Sequence, residues 1–232
     1  MTITFITGAN KGLGHETARR LVELGHTVLL GARDPELGVA AATALGARFV
    51  PIDVTDDASV AAAAANVAEH EGSIDVLVNN AGIHGPAGDP TTLTGADTLS
   101  VLDVNIAGVV RTTTAFLPLL RRSADPVIIN VSSGMGSLAY THDPARPEST
   151  VVAPLYTASK AALTMLTTQY AKALVDIRVN AADPGYTATD LNGHTGPQTV
   201  TEGTDAIVRL ATEKPGAGSG RFVSRTGEIA WS

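Results

Sequence analysis

The 232-residue chain contains no cysteine, which excludes disulfides, thiolate zinc sites and a cysteine nucleophile. It has no apolar run long enough to span a bilayer, and its hydrophobic start at 1–7 lacks the charged region of a signal peptide. Basic residues are in deficit. Sixteen Lys and Arg against 23 Asp and Glu leave a net charge of −7, which argues against a nucleic-acid backbone or an anionic membrane as partner. The six histidines are scattered without metal-ligand spacing, so no metal site is expected. Against these absences, hydrophobic residues make up 44% and charged ones 17%, the balance of a globular chain with a core. The expectation is a soluble cytoplasmic protein forming one domain over 1–232.

Short β-branched runs alternate with longer Ala- and Leu-rich stretches to the C-terminus. Strands are predicted at 3–7, 27–32, 48–52, 74–79, 126–132, 177–181 and 221–224. Helical patterns fall at 13–24, 35–44, 57–70, 98–122, 155–174 and 201–211. Strands apolar on both faces suit a parallel sheet covered on each side by helices. The predicted fold is therefore α/β and doubly wound, with a parallel seven-stranded sheet and right-handed crossovers. Two segments rich in Pro, Gly or polar residues, 142–154 and 191–200, break the rhythm and read as loops, each a candidate flap or a surface insertion.

Directly after the first strand comes Thr7-Gly8-Ala9-Asn10-Lys11-Gly12-Leu13-Gly14, opening a helix. Glycines there permit a tight turn and close approach of a phosphate to the backbone, and the helix N-terminus supplies unpaired amides. Gly8, Asn10, Lys11, Gly12, Leu13 and Gly14 are thus candidate contacts for a dinucleotide. The second strand ends in Arg33-Asp34, a mixed signal. Acidic residues at this place suit a ribose 2′-hydroxyl, arginine a 2′-phosphate. Lys11 adds a second cation, and together with Arg33 it favours NADP(H) over NAD(H). The competing reading of Arg33 is a surface ion pair. Asp53, followed by Val54, lies where an adenine amino group could be accepted, or where a carboxylate closes a turn.

Tyr156 and Lys160 are four apart in a helical pattern and so share a face. A free phenol, with pKa about 10, is a poor acid–base group at neutral pH, and a neighbouring ammonium is expected to bring it toward the working range. Upstream, Ser132-Ser133-Gly134 follows the fifth strand, where a hydroxyl could hold a substrate oxygen or merely cap a turn.

With these residues in order, the chain resembles the short-chain dehydrogenase/reductase family over essentially its whole length. The carrying motifs are Thr7-Gly8 through Gly14, Asn79-Asn80-Ala81-Gly82, Asn105 within Val104-Asn105-Ile106-Ala107-Gly108, Ser133, Tyr156 with Lys160, and Pro184-Gly185 through Thr189. The glycine turn and the Ala32-Arg33-Asp34 ending are similar to carbonyl reductases of that family that use NADPH. The resemblance implies a Rossmann fold and a catalytic set of Asn105, Ser133, Tyr156 and Lys160. Tyr156 would be the general acid in ketone reduction, Lys160 would lower its pKa and hold the nicotinamide ribose, Ser133, which aligns with the family serine better than Ser132, would orient the carbonyl, and Asn105 would anchor a proton relay. Asn80, Ala81 and Gly82 would pack beside the cofactor, with Pro184, Gly185, Thr187 and Thr189 around the carboxamide. The implied activity is NADPH-dependent reduction of a ketone, aldehyde or quinone; the alternative is an NADP(H)-binding regulatory or sensor protein without turnover.

Two departures from the family stand out. Ser133 and Tyr156 are 23 positions apart, more than most members show, and the extra segment leaves a homo-oligomer an open expectation. Asp183 precedes Pro184 where the family has an apolar or small residue. His84, Met135, Tyr140, Tyr186 and Leu191 follow motif residues and are candidate substrate contacts.

Overall fold

A computed structural model describes residues 1–86 and 89–231; Ala87, Gly88 and Ser232 of the expected domain span lie outside the described residues. Seven strands run parallel: β1 (Ile3–Ile6), β2 (Thr27–Ala32), β3 (Arg48–Pro51), β4 (Val76–Asn79), β5 (Val127–Val131), β6 (Arg178–Asp183) and β7 (Phe222–Ser224). An eighth, β8 (Gly227–Glu228), pairs antiparallel with β7 at the edge. The expected seven-stranded sheet thus gains a strand that two residues cannot announce by alternation. Strand order is β3-β2-β1-β4-β5-β6-β7-β8, so the winding reverses between β1 and β4, and a crevice opens there at the strand C-termini.

Alternation along each strand sorts the core into two layers. On one face Ile6, Leu30, Val78 and Ile129 pack with Leu21 of α1 (Gly12–Glu23), and with Ile207 and Leu210 of α9 (Asp205–Thr212). On the other Phe5, Leu29, Leu77 and Ile128 pack with Val67 of α3 (Asp57–His70) and Phe116 of α5 (Gly108–Leu120). Phe5 and Phe116 are fully buried with ring centroids 4.4 Å apart, and each such side chain contributes roughly 1.5–3 kcal/mol. The remaining helices are α2 (Pro35–Leu45), α4 (Gly95–Leu102), α6 (Leu138–His142), α7 (Pro154–Ala173) and α8 (Val200–Gly203). Among the described residues no helix is long and apolar enough to cross a membrane.

Three expectations change. The long helix predicted at 98–122 starts at Gly95, where Thr94 and Asp97 form a capping box, and a π-helical segment at Asp103–Ala107 divides it. The last helix divides into α8 and α9. The 142–154 segment is built rather than structureless: α6 runs into it, Pro147–Ser149 forms a 3-10 turn, and Arg146 grips Glu148 while its guanidinium lies 3.2 Å over the Tyr140 ring.

Candidate active site

The glycine turn lies at the β1–α1 junction beside the crevice. Gly8 turns at φ 63°, and a Cβ on Gly14 would lie 2.6 Å from the Gly8 carbonyl oxygen, so only glycine lets the turn fold on itself. Asn80 holds it from beneath, its amide donating to the Thr7 and Gly8 carbonyls at 2.8 and 3.0 Å, while the Asn80 and Ala81 amides donate to the Thr7 hydroxyl. Helix α1 begins with no side chain capping it and no acidic residue in its first turn, whereas Asp34 caps α2 and Asp56 caps α3. An uncapped, glycine-lined helix start fits a pyrophosphate and leaves room for its backbone approach.

Around this cradle Asn10 and Leu13 are half-buried, and Gly12 faces the Thr189 side chain. Lys11 is exposed and paired to Asp190 at 2.8 Å. The mixed signal at the end of β2 resolves into two roles. Asp34 accepts from the Leu37 amide at 3.0 Å as the cap of α2. Arg33 is exposed and enters no ion pair among the described residues. Asp53 accepts from the Thr55 amide and hydroxyl at 2.9 and 2.7 Å, bonds that hold its carboxyl below the usual range and make it a turn carboxylate. Val54 is buried against Gly108. Beyond β6, buried Pro184 leads to Gly185 at φ 66°; Thr187 bonds back to the Pro184 carbonyl at 2.9 Å, and Asn192 receives the Thr189 amide at 3.2 Å.

The chemical groups converge at the C-terminal ends of β4, β5 and β6. Ser132 is fully buried with its hydroxyl donating to the Lys160 carbonyl, whereas Ser133 is half-buried and its hydroxyl accepts from the Met135 amide at 3.2 Å. Lys160 is 5% exposed; its Nζ donates to the Val131 carbonyl at 2.8 Å and lies 5.5 Å from the Tyr156 ring centroid. Asn105, turned inward by the π segment, exchanges two 2.9 Å bonds with the Ile83 backbone and donates to Ser159. Gly82 lies between the two: a Cβ built on it would be 3.4 Å from the Asn105 Oδ1 and 3.7 Å from the Lys160 Nζ.

Of the candidate substrate contacts, His84 stacks on the Tyr156 ring at 5.0 Å and 17°. Tyr140 packs against the Phe222 and Ile229 cluster under Arg146. Tyr186 is exposed and bonds to Thr195, Leu191 is exposed, and Met135 is half-buried after Ser133.

The electrostatics correct one expectation. Burial pushes Tyr156 up to about 12 despite the Ser133 hydroxyl, instead of the neighbouring ammonium drawing it toward neutrality. The same burial pushes Lys160 down to about 8, so the ammonium yields before the phenol does. A residue not expected in the site is Asp183, buried at the end of β6 with a carboxyl raised by burial. In the sequence it shows only as an acidic residue before Pro184.

The family model for short chain dehydrogenases matches residues 2–199. The chain belongs to the short-chain dehydrogenase family. Among curated members it is 37% identical over 224 residues to short-chain dehydrogenase anuI of Penicillium roqueforti, covering 91% of this chain and 88% of that one. It is 33% identical over 283 residues to (+)-neomenthol dehydrogenase of Arabidopsis thaliana, covering 95% of each. Among solved structures, NADPH-bound carbonyl reductase from chicken fatty liver matches with a TM-score of 0.87 at 31% identity over 100% of both chains. Short-chain dehydrogenases are oxidoreductases that bind a nicotinamide cofactor, and the uncapped glycine cradle of this member fits the cofactor's phosphates.

Proposed function

We propose that this protein is an NADPH-dependent reductase that converts a ketone, aldehyde or quinone to the alcohol in the cytoplasm, its partner a small carbonyl compound. The observation that carries the reading is Tyr156 with the buried Lys160 Nζ 5.5 Å from the centre of its ring, and a phenol whose pKa burial raises, which keeps it protonated at neutral pH. A protonated phenol is the state a carbonyl oxygen needs as reduction proceeds. The cofactor, when bound, supplies the hydride. Ser133 orients the carbonyl oxygen, and Tyr156 Oη delivers the proton to it. Lys160, which exchanges its proton near pH 8, restores that proton, with Asn105 as the relay anchor. Gly8, Gly12 and Gly14 with the α1 amides would hold the pyrophosphate, and the segment Pro184 to Thr189 the carboxamide. Arg33, exposed and free of ion pairs among the described residues, supports a 2′-phosphate and hence NADPH, as does the NADPH in the chicken carbonyl reductase.

The test is loss of NADPH absorbance against ketones, aldehydes, quinones and ketoacyl thioesters, with Tyr156→Phe alongside. Turnover should fall by about 100-fold or more in the variant, the size of a lost general acid, while NADPH still binds. Full turnover in Tyr156→Phe would sink the mechanism. No turnover on any substrate, with NADPH bound tightly, would favour a cofactor sensor.

A further inference from the structure

Asp183 is costly where it stands. It closes β6, is 4% exposed, and burial raises its carboxyl because the charged form loses water. An apolar side chain would fill the place without that cost, so its retention calls for a task. The task is visible in its bonds. Oδ1 accepts from the Gly134 amide at 2.8 Å and from the Gly185 amide at 2.9 Å. Gly134 immediately follows Ser133, and Gly185 starts the segment assigned to the nicotinamide. Both amides lie in turns outside the strand ladder, and without Asp183 they would lose their acceptor.

The surroundings are equally specific. A Cβ built on Gly134 would lie 2.7 Å from a Glu148 oxygen, 3.2 Å from Asp183 Oδ2 and 3.2 Å from Tyr140, so this peptide is wedged between two carboxylates. Glu148 is held by both arms of Arg146, at 2.9 and 3.2 Å. The charged and titratable groups facing Asp183 are therefore Glu148 and Arg146 from the 143–153 segment and Tyr156 and Lys160 from α7.

We propose that Asp183 is a positioning residue of this active site, stapling the turn that carries Ser133 to the Gly185 turn that opens the cofactor loop, so that the substrate-orienting hydroxyl and the nicotinamide segment are held in one register. The proposal rests on the reductase reading for the role of Ser133, but not for the coupling of the two turns. One oxygen shared between two amides fixes the Gly134 and Gly185 nitrogens relative to each other, which two separate acceptors would not do. A displacement of about 1 Å between a hydroxyl and a hydride donor is enough to lower turnover about 100-fold.

The experiment uses the full chain with Asp183→Ala and Asp183→Asn, read by kcat and KM on a carbonyl found to turn over, by NADPH fluorescence titration, and by thermal melting. Asparagine keeps a carbonyl oxygen able to accept from both amides; alanine does not. The expected result is that Asp183→Ala lowers kcat by about 100-fold and weakens NADPH about tenfold, and that Asp183→Asn recovers both to within about fivefold. A purely structural role would lower the folded fraction, and with it the apparent kcat and melting temperature, while leaving the NADPH dissociation constant unchanged. That pattern would overturn the proposal. So would Asp183→Asn proving as damaging as Asp183→Ala, because the two bonds would then not be what matters. If the parent protein reduces no carbonyl, the reductase reading fails by itself. The NADPH titrations then decide the staple: weaker binding in alanine restored in asparagine sustains it, and unchanged binding overturns it.

Discussion

Replacing Lys160 with methionine should make the protein more stable as it makes it inactive. The Lys160 side chain is buried, and burial lowers its pKa from the ordinary 10.5 to about 8. At about 1.4 kcal/mol per tenfold in proton affinity, that depression corresponds to about 3 kcal/mol of cost in keeping the ammonium charged inside the fold. Methionine has a similar length and no charge, and it forfeits the 2.8 Å bond to the Val131 carbonyl, worth about 1 kcal/mol. The net gain is about 2 kcal/mol, which for a chain of this size raises the melting temperature by about 4–8 °C at pH 7. The gain also has a pH signature. Below about pH 8 the lysine is charged both folded and unfolded, and the full cost is present. Between about 8 and 10.5 the folded form sheds the proton while the unfolded chain keeps it, so the wild type gains stability as pH rises. The advantage of Lys160→Met should therefore all but vanish by about pH 9.5. Calorimetry at the two pH values, with NADPH-dependent turnover measured in parallel, is the assay. A variant that melts below the wild type at pH 7, or an advantage that widens as pH rises, would refute the reasoning.

Two further predictions concern the end of β2. Arg33→Ala should weaken NADPH about 10- to 100-fold more than NADH, the size of a lost charge-assisted bond to a 2′-phosphate; equal losses in paired titrations would mean that Arg33 is only a surface residue. Asp34→Ala should cost about 1 kcal/mol of stability through loss of the α2 cap and leave the ratio of NADPH to NADH affinity unchanged. Chemical denaturation and the same titrations check both parts, and a changed ratio would mean that Asp34 also faces the ribose.

Much of the architecture was legible in the chain because it is written in local periods. Every predicted strand formed within a few residues, since continuous Val, Ile and Leu runs fit only a sheet covered on both faces, and the two core layers follow from alternation alone. The glycine turn was legible because backbone sterics admit little else there. Where the local period misled, a long-range contact had won. The helix predicted across 98–122 is interrupted where Asn105 turns in to bond Ile83 and Ser159. The 142–154 loop is ordered by Arg146 closing on Glu148 and on Tyr140, a ring whose other neighbours are Phe222 and Ile229.

By itself the sequence determined the alternation of strands and helices, the cradle at the first turn and the pairing of Tyr156 with Lys160 on one helical face, because each depends on neighbours a few residues away. Only the tertiary structure decided how those groups behave. It buried Lys160 and half-buried Tyr156, so that Lys160 rather than Tyr156 moves toward neutrality; it laid His84 on the phenol; and it spent Asp34 on a helix cap, leaving Arg33 exposed. It also joined Asp183 to Gly134 across 49 positions of chain. Burial and hydrogen-bond partners are properties of the whole packed molecule, and no stretch of chain carries them before it folds.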